Sequence, residues 1–404
     1  MLRRVVSAAI LVVLIGLERF AYYGMRSILL THMIETQRVD QTSALLTYRI
    51  FSWMMMLTPL LGGLVCVALP PRFSVLLGAL GATLGYALLA IAPPVFVIGA
   101  LGALALGLGL FRPAVIVAAG EAFGLDATRR TTTFALLYAS INAGAVVAPF
   151  AAGAARKALG GAAALGGSAA VMVMVAVLAA VAAALPTLLP PDDEPAARPD
   201  ADRFEMPALL ASLGLLFAAL PTHAVSTLAG DWQYSSDGFA RSLSWANPLV
   251  VIGVCVLLAA GVMAAGFARI RIFLAIPIAL GLLLTALSAA PVILLPPTTA
   301  PAVASAIVGG VGEALIAVFL LSRLSAGVHP RAQTSVVALY LIATFGIGIG
   351  AGAIPTGAAA TASLAVFSAI CVVLAVAIGA LYRPLADAFK DEEIALTPDV
   401  APAL

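Results

Sequence analysis

Six ionisable residues, Glu18, Arg19, Arg26, Arg49, Arg112 and Glu313, each stand deep inside a long apolar stretch. If those stretches cross a bilayer, each charge costs roughly 2.5–3.5 kcal/mol at mid-membrane and persists only beside a partner or a wet cavity. Helical spacing groups three of them with two phenols. Glu18, Tyr22 and Arg26 fall at i, i+4 and i+8, and Arg19, Tyr23 and Arg26 at i, i+4 and i+7. The two stripes adjoin and form one polar helix face. In the first half of the chain four arginines (19, 26, 49, 112) stand against one acid, Glu18, an excess of +3. Glu313 is the reverse, an acid with no basic residue in its own stretch until Arg323. Facing halves of opposite charge suit a zwitterion, its carboxylate on arginine and its ammonium on Glu313. A plain anion, with Glu313 protonated, suits them as well. A salt-bridge lattice that only pins helices together is the competing reading, and the unmatched positive charge weighs against it.

Those residues need elements that tolerate them. The chain has 404 residues, 63% of them apolar and only 10% charged, with a mean hydropathy of +1.12. A soluble domain commonly carries about a quarter charged residues, so this chain is expected to be an all-α membrane protein. A span takes about 20 apolar residues. Punctuation by Pro, Gly and charge gives twelve: about 5–34, 43–69, 73–92, 94–123, 131–156, 164–189, 207–229, 245–266, 270–291, 300–325, 331–358 and 360–382. The polar run from Pro190 through Arg203 divides them six and six. The expected organisation is a six-helix bundle over 1–189, a cytosolic linker over 190–206, a second bundle over 207–383 and a cytosolic tail over 384–404. Arg3 and Arg4 before an apolar run imitate a signal peptide, but the run continues past Glu18 without a small-x-small cleavage site and reads as a retained first span. Asp231 through Arg241 reads as a polar extracellular loop.

With the N-terminus inside, inner segments hold Arg3, Arg4, Arg72, Arg129, Arg130, Arg198, Arg203, Arg269, Arg271, Arg323, Arg331, Arg383 and Lys390, and outer segments Arg38, Arg156, Lys157 and Arg241. That asymmetry places both termini in the cytoplasm, with the protein multi-pass in the cytoplasmic membrane. Gly78, Gly81 and Gly85 in the third span, Gly102, Gly107 and Gly109 in the fourth and Gly346, Gly348 and Gly350 in the eleventh let helix backbones approach closely. Two bundles joined by a polar linker suggest rocking around a central cavity.

Other functions fit poorly. An enzyme would cluster nucleophiles, bases or metal ligands, yet His32, His223 and His329 lie in three distant segments. Asp192, Asp193 and Glu194 read as a solvated linker. Cys66, Cys255 and Cys371 are odd in number, lack metal spacing and read as buried, inert thiols. A channel would repeat one residue type around a pore, unlike these asymmetric halves. A net charge of +2 from scattered residues gives no footprint for nucleic acid. No cofactor motif is present, so the partners are a small-molecule substrate, protons and the lipid bilayer.

Longer motifs carry a resemblance. Glu18-Arg19-Phe20-Ala21-Tyr22-Tyr23-Gly24 resembles the first-helix signature E-x-x-E-R-F-x-Y-Y-G of the proton-dependent oligopeptide transporters, a branch of the major facilitator superfamily. Gly109-Leu110-Phe111-Arg112-Pro113 is similar to their fourth-helix G-x-x-K-P. Phe134 through Gly144, with Tyr138 and Asn142, is similar to F-x-x-F-Y-x-x-I-N-x-G. Asn247-Pro248-Leu249 and Gly312-Glu313-Ala314-Leu315 match motifs of helices eight and ten, and Tyr340 stands where an eleventh-helix Trp is usual. The resemblance implies the major facilitator fold and proton-driven uptake of di- and tripeptides by alternating access. Carried over, Arg19, Arg26 and Arg112 meet the substrate carboxylate, and Asn142, Asn247 and Glu313 its amino end. Tyr22, Tyr23 and Tyr340 line the cavity, and Glu18 senses the proton. Several positions depart. Ile15 replaces the first acid of the signature, Arg112 replaces a lysine that can lose its proton, and helix seven reads Leu220-Pro221-Thr222-His223 without its acid. Val65-Cys66 also stands where an acid follows Gly62-Gly63. Coupling would then fall to Glu18 and the titratable His223. The alternative is a carrier or exporter of non-peptide anions or drug-like solutes, with altered or lost proton coupling.

Overall fold

The computed structural model describes residues 2–91, 93–123, 126–184, 206–236, 246–268, 273, 275–295, 298–325, 330–355 and 357–388. These residues form helices and no strand. Twelve are long and apolar enough to cross a membrane. They are α1 (Leu2–Thr31), α2 (Gln41–Ala68), α3 (Pro71–Ile91), α4 (Val97–Glu121), α5 (Ala127–Leu159) and α6 (Gly161–Ala184) in the first half. The second half holds α7 (Met206–Ser236), α8 (Ala246–Phe267), α9 (Ala275–Ser288), α10 (Thr299–Leu324), α11 (Pro330–Gly352) and α12 (Ala358–Ala380). A π-helical turn, His32–Thr36, extends α1, and a short turn, Ala290–Leu294, completes the span begun by α9.

Each expected span has its helix. Asp40 starts α2 by accepting the Ser43 N–H at 2.9 Å, and Asp126 starts α5 by accepting the Arg129 N–H at 3.0 Å. Such caps satisfy donors that the first helical turn leaves unpaired. One loop reading is corrected: α7 continues through Ser236, so the beginning of the Asp231–Arg241 segment is helical. The linker and most of the tail lie outside the described residues, as does the rest of that segment.

Within the first half α1 packs on α5 and α6, and α4 on α2 and α3. Within the second, α9 packs on α10 and α12, and α7 on α11 and α12. The halves meet along α2–α11 and α5–α8, with α5–α10 and α4–α11 between. Small residues set the closest approaches, though not all of those expected. A Cβ on Gly85 would collide with the Leu104 backbone and one on Gly107 with the Ala82 backbone, whereas Gly102 and Gly350 face open space. Pro113 has no N–H to give the Gly109 carbonyl one turn back. Gly62 of α2 presses on that same carbonyl, which fixes α4 at the level of Arg112.

The halves close at one end of the bundle. Ser322 of α10 accepts a hydrogen bond from Arg130 Nε at 3.3 Å and pairs its hydroxyl with that of Thr131 at 2.9 Å. Gly120 of α4 abuts Ser325, and Gly63 of α2 abuts Ala338 and the Thr334 carbonyl of α11. Arg130 and Arg323, counted among the inner-segment cations, are buried in this seal. Sequence counting missed this because it sees no neighbour from the other half. At the opposite end Arg26 and Arg49 are exposed, and residues 341–349 of α11 are half-exposed throughout. The bundle is therefore shut at one end and open at the other.

Candidate functional site

The polar face of α1 runs from the buried floor toward the open end. Glu18 is fully buried, Arg19 and Tyr22 nearly so, Tyr23 half-buried and Arg26 exposed. At the floor one carboxylate serves two guanidiniums. Glu18 accepts from Arg19 Nε at 2.7 Å and Nη2 at 3.4 Å, and from Arg112 Nη2 of α4 at 3.0 Å. The Tyr22 ring lies 5.2 Å from the Arg19 guanidinium and 4.5 Å from that of Arg112. Its π face adds attraction for both cations. Two arginines and one glutamate still leave a charge of +1. Arg112 is 2% exposed, and its Nε and Nη1 have no hydrogen-bond partner. An unmet buried donor costs about 1–3 kcal/mol, more when charged. On its other side Arg112 meets Phe345 of α11 at 6.0 Å, so it sits where the halves face each other.

Nearer the open end, Arg26 donates from Nε to the Tyr48 hydroxyl of α2 at 2.6 Å. Its partner is a neutral phenol, so its charge stays available. Arg49 is exposed beside Tyr48.

The opposite wall belongs mostly to the second half. Glu313 of α10 is half-buried; its Oε2 accepts from Asn247 Nδ2 of α8 at 3.4 Å. Its Oε1 accepts from the Tyr138 hydroxyl at 2.7 Å. Tyr138 is on α5, so this bond crosses between halves. Asn142, one turn further along α5, is buried and spends its amide N–H on the Tyr138 carbonyl at 2.9 Å. Tyr340 of α11 is buried, and His223 of α7 packs edge-on against it with ring centroids 6.4 Å apart. Among the described residues no group of three or more His, Cys, Asp or Glu could hold a metal ion, and the three cysteines are buried and free.

The arrangement puts two polar clusters where the halves face each other, one with donors unmet and one with a carboxylate. It can hold a small solute by both ends. Arg19, Arg112 and Tyr22 form one cluster around Glu18, and Glu313 with Asn247 forms the second. Three residues absent from the sequence-derived site belong here: Tyr48, Tyr138 and Phe345. Tyr138 stood inside a quoted motif, whereas nothing local marks Tyr48 or Phe345.

A family model for the Major Facilitator Superfamily matches residues 9–353. The chain belongs to that superfamily. Within it, the chain is 31% identical over 149 residues to a di-/tripeptide transporter of Lactococcus lactis subsp. lactis (strain IL1403), covering 34% of this chain and 29% of the relative. It is also 31% identical over 155 residues to solute carrier family 15 member 2 of Danio rerio, covering 35% and 21%. These matches thus span about a third of this superfamily member and less than a third of the curated relatives. The fold likeness is wider. A crystal structure of peptide transporter POT in complex with sulfate overlays with a TM-score of 0.66 at 19% identity, covering 95% of each chain. A POT family transporter in complex with 5-aminolevulinic acid overlays at 0.68 and 16% identity, covering 94% of this chain and 96% of the other. The shared architecture is the twelve-helix major facilitator fold in two six-helix halves.

Proposed function

We propose that this protein is a secondary transporter of small peptides or peptide-like zwitterions, working by alternating access and coupled to protons. One observation carries the reading. Where the halves face each other stand Arg112, with two buried donors unmet, and Glu313, with no cation bonded to it among the described residues. A zwitterion satisfies both at once, its carboxylate on the guanidinium and its ammonium on the carboxylate. The curated relatives named as di-/tripeptide transporters support this substrate class, as does the 5-aminolevulinic acid bound by one fold relative, a molecule with an amine and a carboxylate.

The excess of Lys and Arg in alternate connecting segments supports a cytoplasmic position for both termini, with bundles over 1–189 and 207–383 joined by the 190–206 linker. The closed end, where α4 and α10 finish and α5 and α11 begin, then faces the cytoplasm, and the chamber opens outward. Arg19, Arg26 and Arg112 serve the substrate carboxylate and Asn142, Asn247 and Glu313 its amino end, with Tyr22, Tyr23 and Tyr340 around them. Glu18 and His223 are the sequence-derived proton groups, but Glu18 is held by two guanidiniums that do not lose their protons.

The test is uptake of labelled Ala-Ala by proteoliposomes containing the purified protein. Saturable uptake is expected, competed by unlabelled dipeptide. Glu313→Gln should weaken Ala-Ala at least tenfold and N-acetyl-Ala-Ala far less; equal losses would remove Glu313 as the ammonium partner. Transport of anions or drug-like solutes with no dipeptide uptake would replace the peptide reading.

A further inference from the structure

Resting on the zwitterion reading, we propose that Glu313 is the proton-carrying group and that proton and substrate ammonium occupy it in turn, so the carrier exchanges protons for zwitterions.

The two acids at the middle of spans are bonded very differently. Both oxygens of Glu18 face guanidiniums, at 2.7 and 3.0 Å, in a pocket where Glu18, Arg19 and Arg112 are all at least nine-tenths buried. Protonating Glu18 would strand two cations that cannot themselves deprotonate. Arg19 is the next residue on the same helix, so rigid-body movement of the halves does not separate it from Glu18. Glu18 is therefore held as an anion through the cycle.

Every described group bonded to Glu313 is a neutral donor. Tyr138 of α5 and Asn247 of α8 donate to it. Cys255 of α8 and Tyr340 of α11 stand within electrostatic range, with His223 of α7 behind Tyr340. A half-buried carboxylate among neutral donors needs its charge cancelled when the chamber closes over it. A proton or an ammonium can do this, and each excludes the other. When the substrate arrives, the carboxyl O–H bond breaks, the proton leaves to water in the open chamber, and the carboxylate pairs with the ammonium. One proton moves one way for each zwitterion moving the other, and the cycle carries one elementary charge. Co-transport would need a second acid to hold the proton while Glu313 holds the ammonium. Ile15 is buried where the signature has its first acid, and the stretch Leu220–His223 of α7 supplies no acid, only the His223 imidazole packed behind Tyr340.

The sign of proton movement decides it. Ala-Ala is added to the full-length protein in weakly buffered detergent between about pH 5 and 7, where the peptide's own termini keep their charges. Binding should release protons, and the apparent Kd should rise up to tenfold per unit of pH below the titration of Glu313. N-acetyl-Ala-Ala, which lacks the ammonium, should release none. In proteoliposomes an acidic interior should drive Ala-Ala accumulation. Proton uptake on binding, tighter binding at lower pH, or accumulation driven by an acidic exterior would overturn the exchange while leaving dipeptide transport standing. Equal proton release with the N-acetyl peptide, or pH-dependent binding that survives in Glu313→Gln, would also overturn it. No binding of Ala-Ala at any pH would end the peptide reading and the exchange together.

Discussion

Glu18 pairs with two guanidiniums from different helices, and a buried charge is costly chiefly when its partner is removed. Glu18→Gln keeps the shape and deletes the charge, leaving Arg19 and Arg112 as adjoining buried cations. The variant should lose about 3–5 kcal/mol of stability, read as a lower unfolding temperature of the detergent-solubilised protein. A temperature unchanged from wild type would show that the pairs carry no net stability. Tyr138 poses a smaller question. Its hydroxyl joins the halves through Glu313 at 2.7 Å, and a hydrogen bond to a charged group is worth about 1.5–3 kcal/mol. Tyr138→Phe should therefore favour separation of the halves on the α5–α10 side. Thiol labelling at a cysteine placed at Ser322 should rise relative to the same cysteine with Tyr138 intact, and unchanged labelling would confine Tyr138 to the substrate site. The residue types at these positions were legible from spacing and from their cost in lipid. Their partners were not, because Arg112 lies 94 residues from Glu18 and Tyr138 lies 175 from Glu313.

Helix contacts decide how accurately those side chains are held. In lipid no hydrophobic drive brings helices together, so close packing of small residues does it. Gly85 and Gly107 bring α3 and α4 into backbone contact, and α4 carries Arg112. Gly85→Leu should force the two helices apart, lowering the yield of monodisperse protein on size-exclusion chromatography. Gly102→Leu, one or two turns away on α4 and facing open space, should behave as wild type. Equal damage by both would mean that glycine serves helix flexibility there and not contact. The sequence lists both glycines alike, since hydropathy and composition carry no information about the face each presents.

Across the whole molecule, the proposed alternating access requires the seal around Ser322 to open as the open end closes. Thr131 and Ser322 hydroxyls lie 2.9 Å apart across the halves. In a background lacking Cys66, Cys255 and Cys371, the pair Thr131→Cys with Ser322→Cys should form a disulfide under oxidation. Ala-Ala flux should then stop, while binding from the open side persists and flux returns on reduction. Full flux by the cross-linked protein would show that this contact is not part of the gate. Arg130 and Arg323 are buried at the same level, so opening would hydrate two cations and lower the cost of separating the halves there.

The sequence by itself determined the twelve spans, the polar face of α1 and the intramembrane charges, because hydropathy and the 3.6-residue period are local properties of a chain in lipid. It also carried the motifs that led to the superfamily. Only the tertiary structure decided which acid is ion-paired and which is held by neutral donors, which end is shut, and that Tyr48, Tyr138 and Phe345 join the site. Those outcomes depend on how each helix is rotated about its axis and how the halves meet. Rotation and meeting follow from contacts between residues far apart in the chain, which no local pattern records.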